Sequence, residues 1–272
     1  MLKRNIPNVF TCLNLFCGCI AIVFAFQGNL VWTAYMVGIA AVMDFLDGFV
    51  ARLLNVNSEI GKQLDSMADM VSFGVVPGVV MFKLLELSLS KHILVELEYF
   101  SPQGNGYMDH QDDIPYSWIA LVPYLGFLLT VFSGIRLAKF NIDTRQSDSF
   151  IGVPTPANAI LICSIGLIIP TGFICFPDPI VSAIQDMFLN LYFLCGLSLI
   201  MSYLLISELP LFALKFKNFG WSDNKVRYIF LILSLAMLII FWHVGIPFII
   251  VLYIVISMIN NLIDRKTKTR NS

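Results

Sequence analysis

Long apolar runs alternate with short polar segments along almost the whole chain. A helix that crosses a bilayer needs roughly 20 mostly apolar residues, because each backbone polar group must find its partner within the segment. The runs predict an all-α, polytopic transmembrane helix bundle of about eight spans, which are 8–27, 30–53, 66–89, 117–139, 154–175, 188–213, 226–242 and 244–262. A tight turn around Gly245 and Pro247 separates the last two spans, and a kink in one long helix is the alternative there.

The composition agrees with a membrane protein. Hydrophobic residues make up 58% of the chain and charged residues 13%, against roughly 25% charged residues in soluble domains. With 17 basic and 18 acidic residues the formal net charge is −1, so no basic surface for nucleic acid is expected. Since the chain has no Pro- or Ser-rich linker and no evident internal repeat, we expect a single membrane-embedded domain over residues 1–272.

The basic residues predict the orientation of the spans. If the N-terminus is cytoplasmic, all but two of the 17 basic residues fall in cytoplasmic segments, in agreement with the positive-inside rule. The exceptions are Lys83 and Lys91, which lie towards the outer side, where the loop at 90–116 contains several acidic residues. We therefore expect an integral protein of the cytoplasmic membrane with both termini in the cytoplasm. The basic tail after Asp264 is expected to lie near anionic headgroups.

Four aspartates gather at the predicted cytoplasmic end of the second span and the start of the third, namely Asp44, Asp47, Asp65 and Asp69. A carboxylate inside a membrane helix costs roughly 2.5 kcal/mol or more, so a group of four indicates function. The first two share one side of a helix, and the last two, four residues apart, share a face of the next helix. Two facing helices would direct all four carboxylates to one point. Clustered oxygen ligands are typical of sites for hard divalent cations such as Mg²⁺ or Mn²⁺.

Small residues and one arginine accompany the aspartates on the second span. Gly48 and Ala51 have little bulk and would let a ligand approach the helix backbone, and Arg52 offers a planar fork for phosphate oxygens. A small-residue seam for helix packing is the alternative interpretation of Gly48 and Ala51. Eight positions over 26 residues are fixed in the combined pattern, which is Asp44-x2-Asp47-Gly48-x2-Ala51-Arg52-x8-Gly61-x3-Asp65-x3-Asp69.

This pattern resembles the signature of the CDP-alcohol phosphatidyltransferase family, whose members join a cytidine-diphosphate-activated lipid to an alcohol. The resemblance implies a cytoplasm-facing cavity within the membrane, in which the four aspartates surround two divalent cations, Mg²⁺ or Mn²⁺. It also implies that Asp69 is the general base for the alcohol. The CDP portion would be bound by small and polar residues, which are Asn8, Thr11, Gly48, Ala51, Arg52 and Gly61.

Other segments extend this resemblance. Ile6-Pro7-Asn8-x2-Thr11-x2-Asn14 is similar to the opening of the family, where polar residues help to hold the nucleotide, although a proline-started helix with local caps is the alternative. The segments 69–77, 136–141, 152–157 and 207–217 are similar to bacterial and archaeal members that use serine. The resemblance thus covers about residues 6–217, and neither the last two spans, about 226–262, nor the outer loop contains a motif of the family.

Three residues at the inner end of the fourth span are candidates for binding phosphate or serine, namely Arg136, Lys139 and Asn141. Positive-inside anchoring explains the two cations equally well. Lys139 departs from the family pattern, in which arginine is more usual, and keeps the charge without the bidentate fork. Glu208 lies in an apolar stretch before Pro210, where either a pair with a cation or a contact with substrate would account for it.

The resemblance implies an enzyme that transfers the phosphatidyl group of CDP-diacylglycerol to L-serine and releases CMP. Its other partners would be the surrounding membrane lipids, and a homodimer is left open. Another acceptor alcohol, such as glycerol 3-phosphate or inositol phosphate, is the alternative within the family. A cation transporter is the alternative from a different class. Transporters typically show paired repeats or discontinuous spans with polar residues near the midplane, whereas these carboxylates gather at one end, which favours the transferase.

Overall fold

The structure, a computed structural model, describes residues 2–56, 58–100, 119–142, 150–171, 178–211 and 220–270. The helices within these ranges are α1 (Leu2–Phe26), α2 (Leu30–Leu53), α3 (Glu59–Asp69), α4 (Val76–Phe100), α5 (Phe127–Ile142), α6 (Thr155–Thr171), α7 (Asp178–Phe188), α8 (Leu191–Ile206), α9 (Trp221–Phe241) and α10 (Gly245–Arg270). A π-helix occupies Met70–Val75, and short 3-10 helices occupy Val122–Gly126 and Trp242–Val244.

The membrane-spanning class predicted from the sequence is confirmed. Within the described ranges, five helical segments are long and apolar enough to cross a bilayer, namely Asn5–Phe26, Leu30–Leu53, Glu59–Lys91, Val122–Ile142 and Asn224–Phe241. A sixth results if α7 and α8, which meet at an angle of 55°, form one broken span. The shorter apolar helices Thr155–Ile169 and Gly245–Asn261 coincide with two further predicted runs. The count of eight spans stays a prediction.

The third span begins earlier than the sequence pattern predicted. Its helix starts at Glu59 rather than near residue 66, because the Ser58 side chain caps it by accepting a hydrogen bond of 3.3 Å from the backbone N–H of Gly61. The first two turns are polar, so hydrophobicity alone did not reveal them. This extension places Asp65 inside a formed helix rather than at its frayed beginning.

A π-helix interrupts the third span directly after Asp69 and continues into α4. Such wide turns are rare and are frequently found at functional sites. The whole segment Glu59–Lys91 is the most enclosed of the spanning helices, with 61% of its apolar window buried against 11–28% for the other four. The helix that contains Asp65 and Asp69 therefore lies at the centre of the described bundle.

The last two helices form a hairpin rather than one kinked helix. α9 and α10 pack against each other, and the chain reverses at Trp242, whose φ is 51°. At Gly245 a Cβ atom would come within 2.8 Å of the carbonyl oxygen of Met237, so only glycine permits this close return. The prediction of two separate segments is confirmed, and the kink alternative is wrong.

A short strand pair, which the sequence pattern did not predict, closes one end of the bundle. Phe150–Ile151 (β1) pairs antiparallel with Pro210–Leu211 (β2), and Gly152 (φ 74°) donates from its N–H to the carbonyl of Leu209 at 2.9 Å. The N–H of Val153 donates to the carbonyl of Leu204 at 3.1 Å. These bonds fasten the beginning of α6 to the end of α8.

Parts of two predicted segments differ or fall outside the described residues. The outer loop expected at 90–116 begins as the last part of α4, and its remainder at 101–116 lies outside the described ranges. Residues 212–217, the end of one segment that resembles the family, also lie outside them. Within the described part of this region, Lys91 on α4 forms an ion pair of 2.6 Å with Asp186 on α7.

Candidate active site

Three carboxylates converge between α2 and α3. Asp44, Asp47 and Asp65 each offer one carboxylate oxygen, and these oxygens all lie within 4.8 Å of one another. Asp47 is buried, and Asp44 and Asp65 are partly buried. Like charges at this separation repel strongly outside bulk water, so the arrangement needs compensation by a cation or by a proton on one of the carboxyl groups.

No protein cation supplies that compensation among the described residues. The ion pairs found there, Lys83 with Glu86 and Lys91 with Asp186, involve none of the clustered aspartates. One oxygen of Asp65, Oδ1, is fully buried and has no hydrogen-bond partner. A buried, unpaired carboxylate oxygen in a group of three is the donor set that a hard metal ion prefers. Asp44, Asp47 and Asp65 therefore fit a metal-binding group.

The first helix holds two of the aspartates in place. Thr11 Oγ1 donates to Asp47 Oδ2 at 2.7 Å, and Asn14 Nδ2 donates to Asp69 Oδ1 at 3.3 Å. Thr11 and Asn14 lie three residues apart on one face of α1, and both are buried. The sequence assigned Thr11 to the nucleotide, whereas the structure shows it bonded to a carboxylate. Asn14 was not among the predicted site residues, although it belongs to the opening segment.

Asp69 lies beside the group of three and outside the set of mutually close oxygens. It interacts electrostatically with Asp44, Asp65 and Asp47, so it belongs to the same acidic centre. Its hydrogen bond from Asn14 occupies Oδ1 and leaves Oδ2 for another partner. Four predicted metal ligands thus separate into three that converge and one that stands next to them.

A cavity of about 1070 Å³ opens beside the carboxylates. Seven of the residues predicted for the site line it, and these are Asn8, Thr11, Asp47, Gly48, Ala51, Gly61 and Asp65. The volume is at the upper end of the range of small-molecule sites and suits a nucleotide with a lipid attached. Sequence spacing alone placed these residues on three helices, and the fold brings them to one space.

The two glycines of the predicted site have different reasons to be glycine. At Gly61 a Cβ atom would lie 2.9 Å from Asn8 Oδ1, so a larger residue there would force the Asn8 side chain to move. At Gly48 no neighbouring atom of the described structure lies within 4 Å of such a Cβ, although the residue lines the cavity. Packing therefore does not explain Gly48, and the helix-seam alternative loses its support at this position.

The three basic residues predicted for the site differ in their burial and in their position relative to the carboxylates. Arg52 is exposed, donates from Nε to the carbonyl of Gly48 at 2.9 Å, and does not line the cavity. Arg136 on α5 is 8% exposed, interacts electrostatically with Asp69, and has no hydrogen-bond partner for Nε. Lys139 is exposed. Among these three cations, Arg136 is the one that faces the acidic centre from within the bundle.

Asn141 joins two helices instead of facing the cavity. Its Nδ2 donates to Ser66 Oγ at 2.9 Å, and its carbonyl accepts from Lys62 Nζ at 3.4 Å. These bonds fix the end of α5 against α3, next to Asp65. Glu208 is exposed between α8 and β2 and forms no ion pair with the described residues.

Together the fold and the site define a membrane-embedded helix bundle with a carboxylate cluster that could hold a metal ion, beside a cavity of about 1070 Å³. Residues 4–197 match the family model of CDP-alcohol phosphatidyltransferase, which is well over half of the chain. The chain therefore belongs to the CDP-alcohol phosphatidyltransferase family. Helices α9 and α10 follow the matched region. Family membership also favours the transferase interpretation over the cation transporter.

Curated relatives give the family a narrower context. The chain is 34% identical over 158 residues to a CDP-diacylglycerol–serine O-phosphatidyltransferase of Helicobacter pylori J99, which covers 57% of this chain and 54% of the relative. A protein of the same description from Bacillus subtilis is 29% identical over 155 residues, covering 56% and 69%. An archaetidylserine synthase of Methanothermobacter thermautotrophicus is 26% identical over 171 residues, covering 62% and 59%. The match spans about half the length of the Helicobacter relative.

Proposed function

We propose that the protein transfers the phosphatidyl group of CDP-diacylglycerol to the hydroxyl of L-serine, which yields phosphatidylserine and CMP. The observation that carries the proposal is the convergence of Asp44, Asp47 and Asp65 at the cavity, with Asp69 adjacent to them. The choice of serine rests on what the curated relatives are described as using.

The clustered aspartates would hold two divalent cations, Mg²⁺ or Mn²⁺. The three convergent carboxylates, with Asp69 adjacent to them, supply enough oxygen ligands for two hard ions. Arg136 interacts electrostatically with Asp69, and the ion pairs found among the described residues involve none of the four aspartates. When bound, such ions neutralise a diphosphate and the negative charge that develops on its leaving oxygen.

The cavity would receive the CDP portion of the lipid. Gly48 and Ala51 have no bulky side chains on the surface of α2 that lines the cavity, so a flat base or a ribose can lie against the backbone. Asn8 also lines the cavity, and its side chain lies close to Gly61. Arg52 is exposed at the same end of α2 and would reach phosphate oxygens only after leaving its bond to the carbonyl of Gly48.

Direct displacement accounts for the transfer. The serine hydroxyl gives its proton to Asp69 Oδ2, and the serine oxygen forms a bond to the phosphorus that bears the diacylglycerol. The bond from that phosphorus to the bridging oxygen of the diphosphate breaks, and CMP leaves with that oxygen. Asn14 orients Asp69 by occupying its Oδ1, which keeps the other oxygen available for the proton.

The site would face the cytoplasm, where serine and a nucleotide-activated lipid headgroup are accessible. The acidic centre lies near the end of α2 and the beginning of α3, at the end of the bundle that is opposite to Lys91. The distribution of basic residues in the sequence assigns that end to the inside of the cytoplasmic membrane, together with both termini.

The decisive experiment measures CMP release from CDP-diacylglycerol by the purified protein in mixed micelles. Acceptors are L-serine, glycerol 3-phosphate and inositol phosphate, each with and without a chelator, and Asp186→Asn is the control because Asp186 pairs with Lys91 on another part of the surface. Of the three acceptors, we expect only L-serine to support CMP release. A chelator should abolish this release, and added Mg²⁺ or Mn²⁺ should restore it. Release of CMP with a phosphorylated acceptor and not with serine would agree with the family reaction but contradict the choice of serine as the acceptor.

A further inference from the structure

Asn158, near the beginning of α6, is fully buried at 0% exposure, yet neither Nδ2 nor Oδ1 of its carboxamide has a hydrogen-bond partner among the described residues. A buried amide without partners is costly and rare in folded proteins. The backbone N–H of the same residue is satisfied, since it donates to the carbonyl of Pro154 at 3.0 Å. The backbone of the helix is therefore well formed here, and only the side chain of Asn158 has unsatisfied hydrogen-bonding groups.

The position of Asn158 along the bundle relates it to the acidic centre. At Gly166 of α6 a Cβ atom would lie 2.9 Å from the Cβ of Leu30 on α2, so these two residues are at one depth. Leu30 begins α2 and Gly166 lies near the end of α6, so these helices can pack along their length only if they run in opposite directions, which places Asn158 about level with Gly38. Asp44 lies six residues further along α2, which is about 9 Å of helix rise.

Two of the helices that pack against α6 contain further polar groups without partners among the described residues. Besides α2, α4 and α10, α6 packs against α5, α8 and the π-helix that follows Asp69. α5 contributes Arg136, whose Nε has no partner, and α8 contributes Ser202, whose Oγ is buried without a partner. Arg136 interacts electrostatically with Asp69, and the π-helix that directly follows Asp69 packs against α6, so Asn158 lies on a helix that adjoins the Asp69 segment.

We propose that Asn158 binds the amino-acid portion of the acceptor alcohol and so determines acceptor specificity, an inference that rests on the proposed function. A carboxamide has both a donor for a carboxylate and an acceptor for an ammonium group, so it can satisfy both charged groups of a zwitterion, whereas a phosphate would use only its donor. The hydroxyl and carboxylate of serine are separated by roughly 4 Å along the chain, and a hydrogen bond adds about 3 Å. This reach suits an acceptor that extends from Asp69 towards Asn158.

The test compares Asn158→Leu with Asn158→Asp in the purified protein. Asn158→Leu removes both polar functions at nearly constant volume, and it should raise the KM for L-serine about 10- to 100-fold. The KM for CDP-diacylglycerol and the midpoint temperature of thermal unfolding should not change along with the KM for L-serine. Asn158→Asp should shift the preference from L-serine towards ethanolamine, which lacks the carboxylate that the new charge would repel. Ser234→Ala on α9 is the matched control, because Ser234 Oγ is also buried without a partner.

Each result has a distinct meaning. An unchanged KM for serine in Asn158→Leu, or a lowered midpoint of unfolding with both KM values unchanged, would overturn the inference and assign the amide to a buried water or to packing. If Asn158→Leu does not fold, the acceptor preference of Asn158→Asp decides the question by itself. If the unaltered protein releases CMP with another alcohol and not with serine, the proposed function fails first, and its failure is visible before any variant is made.

Discussion

Asn14 on the first helix donates a hydrogen bond of 3.3 Å to Oδ1 of Asp69 on the third helix, 55 residues away in the chain. Asn14 is fully buried, and its own Oδ1 has no partner within the described ranges. Ser72 Oγ donates to the backbone carbonyl of Asn14 at 3.0 Å, which fastens the π-helix to the same point of α1. The orientation of Asp69 thus depends on α1 as well as on its own helix.

Replacing Asn14 by leucine should therefore lower kcat without removing the cavity. Loss of the group that orients a functional carboxylate typically costs about 10- to 100-fold. We expect the KM for CDP-diacylglycerol to change by less than the rate, because Asn14 does not line the cavity. Asn190→Ala, which removes an exposed amide at the start of α8, serves as the control. An equal loss in both variants would assign the effect to general destabilisation.

Asp69→Asn should separate binding from turnover. The substitution is nearly isosteric, so CDP-diacylglycerol should still bind to the cavity, while the group that accepts the serine proton is gone. Removal of a general base typically costs about 10² to 10⁴ in rate. Affinity and CMP release should be measured in one preparation. A parallel loss of affinity would make Asp69 chiefly a ligand, and turnover within a few fold of normal would place the proton acceptor elsewhere.

Asp44→Asn, Asp47→Asn and Asp65→Asn should each reduce turnover by about 100-fold or more, because each removes a charge from the proposed metal group. The three carboxylates repel each other when no cation is bound, so the variants should unfold at the same temperature as the original protein or higher without metal. Adding Mg²⁺ or Mn²⁺ should raise the unfolding midpoint of the original protein and not that of the variants. Near-normal rates at low metal concentration in all three would make the carboxylates structural.

Gly48→Leu should raise the KM for CDP-diacylglycerol about tenfold or more, since the new side chain would occupy the cavity. The fold should tolerate it, because no neighbouring atom in the part of the chain that the structure describes lies within 4 Å of the added Cβ. Gly38→Leu is a matched control on the same helix, equally open and away from the cavity lining. Similar kinetics for the two variants would remove Gly48 from the substrate site.

The predicted sidedness can be tested at the two ends of α2. In a background without native cysteines, Gln27→Cys should react with a membrane-impermeant thiol reagent added to intact cells, and Asn55→Cys should react only after lysis. Both positions are exposed and flank the same span. The opposite pattern would turn the carboxylates away from the cytoplasm and contradict the assignment of the site to that face.

The sequence by itself determined the membrane class, the approximate positions of most helices and the acidic centre. These properties follow from local composition: an apolar run long enough to cross a bilayer has to be helical, and carboxylates within such runs are too costly to be incidental. The fixed spacing of Asp44, Asp47, Asp65 and Asp69 was equally local, because residues three or four apart share a helix face. That spacing was also sufficient to indicate the family.

Only the tertiary structure decided which side chains meet between helices. Thr11 proved to hold Asp47, Asn141 proved to bind Ser66, and the amide of Asn158 proved to be buried without a partner. The early start of the third span at Glu59 and the π-helix after Asp69 were also invisible in the hydrophobic pattern. The physical reason is that hydrophobicity sets how deep a helix lies, whereas its rotation and register depend on packing against neighbours that are distant in the chain.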